Sequence, residues 1–177
     1  MGKGVHQRFV FLVALLVHWM DFSERQMIFQ SEPWRQVESE IRELVDAHWK
    51  ELAMFKDRIP LDIDWDHYRA CEDRGILQVT TAREGPDLVG YWISIVNIHP
   101  HYKSTKFAFQ DSYFLLPKYR KGNIGIGLLE AMQKNVREMG AQAIIGSDKE
   151  HLTMSALFGW CGFKSPGQQY MKWIGGN

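Results

Sequence analysis

Between Leu115 and Leu129 the chain reads Leu-Leu-Pro-Lys-Tyr-Arg-Lys-Gly-Asn-Ile-Gly-Ile-Gly-Leu-Leu. A strand-like run ends, a basic turn follows, and three glycines open a helix. Glycine lets a backbone approach a ligand closely. The first N–H groups of a helix have no acceptor within it, and the helix dipole makes that end attractive to anions. A turn of this kind reads as a phosphate cradle, with Arg120 and Lys121 adding positive charge. The other reading is a tight glycine-rich connection with no ligand. A P-loop is excluded, because Ile126 and Gly127 stand after Gly125 where Lys and Ser/Thr are required. A dinucleotide-binding fold places such a turn after its first strand, with an acid about 20 residues further on. Here the turn lies far along the chain, after strands that look antiparallel.

The segments around the turn define its setting. Ser31 is expected to cap a helix whose first turn holds Pro33. Trp34, Val37, Ile41, Leu44, Val45, His48 and Leu52 recur at spacings of three and four, one apolar face of a helix ending near Met54. His48 on that face reads as a partly buried histidine satisfied by its neighbours. Asp62, Asp64 and Asp66 lack the Gly and distant Glu of a calcium loop, so they read as loop and cap acids. A short helix is expected from Asp66 to Arg74, stopped at Gly75. Strand patterns follow at Ile76–Arg83, Leu88–Ile98 and Lys106–Leu116, with the loop His99-Pro100-His101-Tyr102-Lys103 between the last two. A helix from Asn123 to Met139 is expected to end at Gly140. A strand at Ala141–Gly146, a helix at His151–Trp160 and a final strand at Gln169–Ile174 complete the chain. Hairpin strands followed by strand–helix–strand imply a mixed sheet covered by helices.

Composition narrows the function. The 177 residues carry 21 Lys+Arg against 21 Asp+Glu, a neutral balance that argues against a dedicated nucleic-acid binder. The two cysteines, Cys71 and Cys161, provide neither a disulfide framework nor a four-thiolate metal site, and no metal is expected. Residues 1–26 differ from the rest. Lys3, His6 and Arg8 precede an apolar run from Phe9 to Val17 that continues through Trp19 and Met20. The run is too short to span a bilayer and lacks a small-x-small cleavage site. It is expected to be an extension outside the domain, with surface anchoring through residues 9–20 as the alternative and a cytoplasmic protein as the result. The domain is expected at 27–177.

Arg120-Lys121-Gly122-Asn123-Ile124-Gly125, followed by Leu128-Leu129, resembles the pyrophosphate loop of the GNAT family, the acyl-CoA-dependent N-acyltransferases. Pro117-x-Tyr119-Arg120 before it and Leu157-Phe158-x-x-x-Gly162-Phe163 after it match the same pattern. The succession of an aromatic strand, a His-rich turn, Gln110-Asp111 and Tyr119-Arg120-Lys121-Gly122 is similar to small GNAT-like proteins of bacteriophages. The loop departs from the family at Asn123, where a glycine is usual; Asn tolerates unusual backbone angles and keeps the amide.

The resemblance implies an α+β fold, with a central mixed, mostly antiparallel sheet flanked by helices. It implies an N-acetyltransferase that uses acetyl-CoA on a primary amine of a small molecule or protein, as a monomer or homodimer; a non-catalytic protein of that fold is the alternative. Tyr113, Phe114 and Leu115 would pair with the pantetheine arm, and the amides from Lys121 to Ile126 would hold the pyrophosphate. His151 falls where many relatives have a cofactor-contacting Asn. Phe158 falls where many have the Tyr that protonates the leaving thiolate, so Tyr170 or water would have to take that role. A protonated amine must lose a proton before it attacks. Asp111 is the first candidate base, on the reasoning that alternation puts it on the same strand face as Leu115. His99 and His101 on the adjoining loop are the second.

Overall fold

A computed structural model describes residues 26–175, so the apolar run at 9–20 lies outside the described residues. The elements are β1 (Met27–Ser31), α1 (Trp34–Leu52), α2 (Trp65–Asp73), β2 (Leu77–Glu84), β3 (Asp87–His99), β4 (Tyr102–Leu115), a 3₁₀ turn (Pro117–Tyr119), α3 (Ile124–Glu138), β5 (Ala143–Ile145) and α4 (Ser155–Trp160). They form one five-stranded sheet in the order β1-β2-β3-β4-β5. The first three pairings are antiparallel, and β4 runs parallel to β5. This is the mixed, mostly antiparallel sheet implied by the sequence.

Each face of the sheet carries its own core. On one side Trp34, Val37 and Ile41 of α1 pack on Val79, Tyr91, Ile93 and Phe114. On the other, Leu129, Met132 and Val136 of α3 pack on Trp92, Val96 and Ala108, while Leu128 meets Val89, Leu115 and Tyr119. Burial on both faces explains why β3 is apolar almost throughout rather than alternating. Truncating one of these fully buried side chains, such as Leu129, costs about 2–5 kcal/mol.

Four local expectations are corrected. Ser31 is the last residue of β1 rather than a cap; Pro33 holds the cap position, without a side-chain hydrogen bond. Strand β1 adds an edge to the sheet, and Arg83 ties it to α1 by bonding Glu32 (2.7 Å) and Glu40 (2.6 Å). The last helix begins at Ser155 rather than His151. Asp148 captures the Met154 amide (2.5 Å) and the hydroxyls of Thr153 (2.7 Å) and Ser155 (2.6 Å), closing a turn where helix would otherwise start. Residues 169–174 form no strand, and Tyr170 and Ile174 are both 88% exposed, so pairing would bury no apolar face there.

The fourth correction concerns β4. Ser94 pairs with Gln110 but Ile93 pairs with Ser112, so Asp111 is an extra residue, a β-bulge. The bulge reverses the alternation. Ala108 and, beyond the bulge, Tyr113 and Leu115 face α3, whereas Phe114 faces α1. Asp111 reaches Tyr68 of α2, and therefore lies on the face opposite Leu115.

Candidate functional site

The sheet opens where the bulge lies. β5 pairs with β4 only at Phe107–Phe109, and Gln110 closes the contact by accepting the Ser147 amide at 2.9 Å. From Asp111 to Leu115, β4 has β3 on one side and, among the described residues, no strand on the other. A cleft of about 580 Å³ fills that gap and runs under α1 and α2. Its lining includes Asp111, Tyr113, Phe114, Leu115, Arg120, Lys121, Gly122, Gly125 and Ile126 of the expected site.

One end of the cleft is the glycine-bearing turn. Gly122 takes a positive φ of 57°, which reverses the chain ahead of α3. Asn123 adopts φ −101°, within ordinary range, so this backbone does not require a glycine there. Among the described residues none of the amides of residues 121–126 has an acceptor; the first helical bond is that of the Gly127 amide to the Asn123 carbonyl, at 2.8 Å. These unpaired donors, with Lys121 beside them, suit an anion such as a pyrophosphate. The Arg120 guanidinium is committed elsewhere. It donates to the Leu115 carbonyl (2.6 Å) and forms a two-pronged ion pair with Glu51 of α1, one prong at 2.7 Å. The hydrogen bond from Arg120 holds the Glu51 carboxyl below the usual range. The expected free cation at this position is therefore a clamp between the turn and α1.

The other end is aromatic. Trp34 stacks on Tyr68 (4.5 Å between ring centres) and on Trp65 (6.0 Å), and the Arg42 guanidinium lies 3.8 Å from the centre of the Trp65 ring. Tyr68 donates to Asp111 Oδ2 at 2.6 Å. Its hydroxyl is held well above the ordinary phenol range, by burial first and then by the Asp111 charge. Nearby, His48 Nδ1 lies 2.7 Å from the Tyr91 hydroxyl, and its ring stacks on Phe114 at 5.1 Å. Burial pushes His48 down to about 4, outweighing the opposing pull of Glu51. It is the satisfied histidine expected from its place on the apolar face. Burial also raises Tyr91.

Between the ends stands Tyr113. Its hydroxyl lies 3.6 Å from where a Cβ on Gly125 would be, and burial pushes it up to about 12. Phe158 lies edge-on to Trp92 (6.3 Å) and against Phe163 (4.8 Å) in the core behind the cleft, as a packing residue.

The remaining expected residues lie elsewhere. His99 and His101 sit at the tip of the β3–β4 hairpin, 5.5 Å apart and stacked among Tyr102, Phe107 and Phe109, and do not line the cleft. Tyr170 is exposed and bonds Gln168 at 2.7 Å. His151 is exposed, with Nε2 3.2 Å from the Glu51 carbonyl. The side chains of Asn123 and Ile124 do not line the cleft, and these residues bring only their amides to the turn. Sequence reasoning missed Tyr68, Tyr91, Trp65 and Glu51. The stacking of Trp34 with Trp65 and Tyr68 is carried by two helices about thirty residues apart, and no local pattern signals it.

No protein-family model matches the chain, and no curated protein matches it in sequence. Solved structures do match in fold. An aminoglycoside acetyltransferase from an uncultured soil metagenomic sample, in complex with sisomicin, superposes with a TM-score of 0.63 at 13% identity, covering 85% of this chain and 96% of that one. Glucosamine-6-phosphate N-acetyltransferase from Arabidopsis thaliana gives a TM-score of 0.63 at 12% identity over 85% of this chain and 99% of that one. An aminoglycoside N-acetyltransferase in complex with CoA gives 0.61 at 15% identity over 83% and 93%. The split sheet, the bulge and the amide-rich turn thus stand in a chain that has the fold of the GNAT acyl-CoA N-acyltransferases.

Proposed function

We propose that the chain is an acyl-CoA-dependent N-acyltransferase that moves an acetyl group from acetyl-CoA to a primary amine. The observation that carries this reading is the meeting, in one cleft, of unpaired amides at residues 121–126 with a carboxylate at Asp111. The amides and Lys121 hold the pyrophosphate, and the open edge of β4 from Tyr113 to Leu115 lies beside the pantetheine arm. Bound there, acetyl-CoA supplies an acyl group activated as a thioester.

Asp111 takes the proton of the incoming ammonium. One of its oxygens is held by Tyr68 and the other, Oδ1, accepts nothing among the described residues. A positioned base of this kind contributes about 10²–10⁴-fold. Tyr113 keeps its proton at neutral pH, because burial raises it, and it stands next to the turn as a donor for the departing sulfur. It supplants Tyr170 in that role, since Tyr170 does not line the cleft. Release of free thiol from acetyl-CoA in the presence of an amine panel tests the proposal. Calorimetric CoA binding without thiol release toward any amine would reduce the chain to a binding protein of this fold.

A further inference from the structure

The charge of the acceptor end narrows the amine. Among the described residues Asp111 is the one carboxylate lining the cleft, and the formally cationic groups that line it are Arg120, Lys121 and Lys149. Under α1 and α2 the wall is mainly apolar: Val45, Trp49 and Leu52 from the second half of α1, Leu61 and Ile63 from the loop that leads to α2, and Trp65 at the start of α2. We propose that the acceptor is a hydrophobic primary monoamine, an aryl- or alkylamine whose single ammonium meets Asp111 and whose carbon body lies on the Trp65–Trp34–Tyr68 stack. This rests on the acyltransferase reading above.

One carboxylate neutralises one ammonium. A second ammonium in the same molecule would sit on the apolar wall without a counter-charge, or approach the three cations, and either arrangement is unfavourable. Sugars and polyamines with several amines would need several acids. An aromatic or branched alkyl body instead gains by leaving water against the stacked rings. The apolar setting also disfavours the charged form of the amine, which brings the neutral nucleophile within reach of Asp111 near neutral pH. Trp65 is a positioning residue in this scheme. Its ring shapes the wall but contacts no reacting atom.

The test uses the full chain and three amines: 2-phenylethylamine, spermidine and kanamycin. With acetyl-CoA present, thiol release should give a kcat/KM for 2-phenylethylamine at least about 10²-fold above either polycation. Trp65→Ala should raise the KM for 2-phenylethylamine at least about tenfold with little change in kcat, and Trp65→Phe should restore most of it. The same variants should bind CoA as the parent does, which separates a lost wall from a lost fold. A higher kcat/KM for spermidine or kanamycin would overturn the monoamine assignment and leave acyl transfer standing. A lack of thiol release with every one of the three amines, together with calorimetric binding of 2-phenylethylamine that Asp111→Asn abolishes, would keep the ligand class and overturn acyl transfer. Absence of both signals would overturn both.

Discussion

The two ends of the cleft are built from different materials. The turn before α3 is built from backbone: its donors are amides, its shape comes from the positive φ of Gly122, and the side chain of Arg120 is spent on Glu51. The end under α1 and α2 is built from side chains, a ring stack and a carboxylate drawn from α1, α2, β3 and β4. A backbone site tolerates substitution of its side chains as long as the chain path holds, as Asn123 illustrates. A side-chain site changes its ligand with each substitution. The first therefore suits a constant partner and the second a variable one.

The backbone-built end is most sensitive to substitution at Gly125. A Cβ there would stand 3.3 Å from Leu157 and 3.6 Å from the Tyr113 hydroxyl, so Gly125→Val crowds the turn itself. Calorimetry should show CoA affinity reduced at least about 10²-fold, whereas Lys121→Ala, which leaves every amide in place, should cost about tenfold or less. Equal losses in the two variants would contradict a backbone-built site.

At the opposite end, Asp111→Asn should lower turnover at least about 10²-fold with CoA affinity unchanged. Activity should recover in part as pH rises from 6 to 9, where more of the amine is already neutral. A pH-independent deficit would remove Asp111 from proton transfer.

His48 gives a stability prediction. Its value in the fold is lowered from 6.5 to about 4, so its contribution is full above about 6.5 and is lost as pH falls through about 4. That loss amounts to about 3 kcal/mol. Denaturant unfolding at pH 7 and pH 4 should show a deficit of this order in the parent and a smaller one in His48→Gln.

Glu51→Gln should have a milder effect. It frees the Arg120 charge and should raise CoA affinity about two- to fivefold with a steeper salt dependence, at the expense of the α1–turn clamp. Because Glu51 is depressed by Arg120, the clamp is present above the ordinary carboxylate value and weakens as pH falls through the lowered one. The smallest effects belong to Tyr170→Phe and His101→Gln, which should leave kcat/KM within about twofold, since neither residue lines the cleft.

The same contrast explains what could be read from the sequence. The turn from Arg120 to Gly125 is contiguous, and its glycines and basic residues announce a ligand before any fold is known. The helical face of α1 and the three long strands are equally legible, because burial imposes a period on neighbouring residues. The aromatic end is not. Trp34 reads as one residue of a helix's apolar face, and only the tertiary arrangement brings it together with Trp65, Tyr68 and Tyr91 at an open cleft. Strand β1 was hidden because Met27–Ser31 is short and mostly exposed. The facing of Asp111 was misjudged because alternation assumes an unbroken ladder, and one extra residue breaks it. Arg120 reads in sequence as a phosphate ligand because its partner, Glu51, lies 69 positions away.

That extra residue divides β4 into two reading frames. Upstream, even-numbered residues such as Ala108 belong to the α3 core; downstream, odd-numbered ones such as Tyr113 and Leu115 do. The strand is thus more vulnerable to changes of length than of composition. Inserting one residue between Tyr113 and Phe114 would turn Phe114 toward α3 and Leu115 toward α1 and disturb both cores at once, whereas deleting Ser112 would close the bulge and keep their native faces. Within this strand, most single exchanges leave a molecule to select among, while a codon gained past the bulge strikes both faces of the sheet.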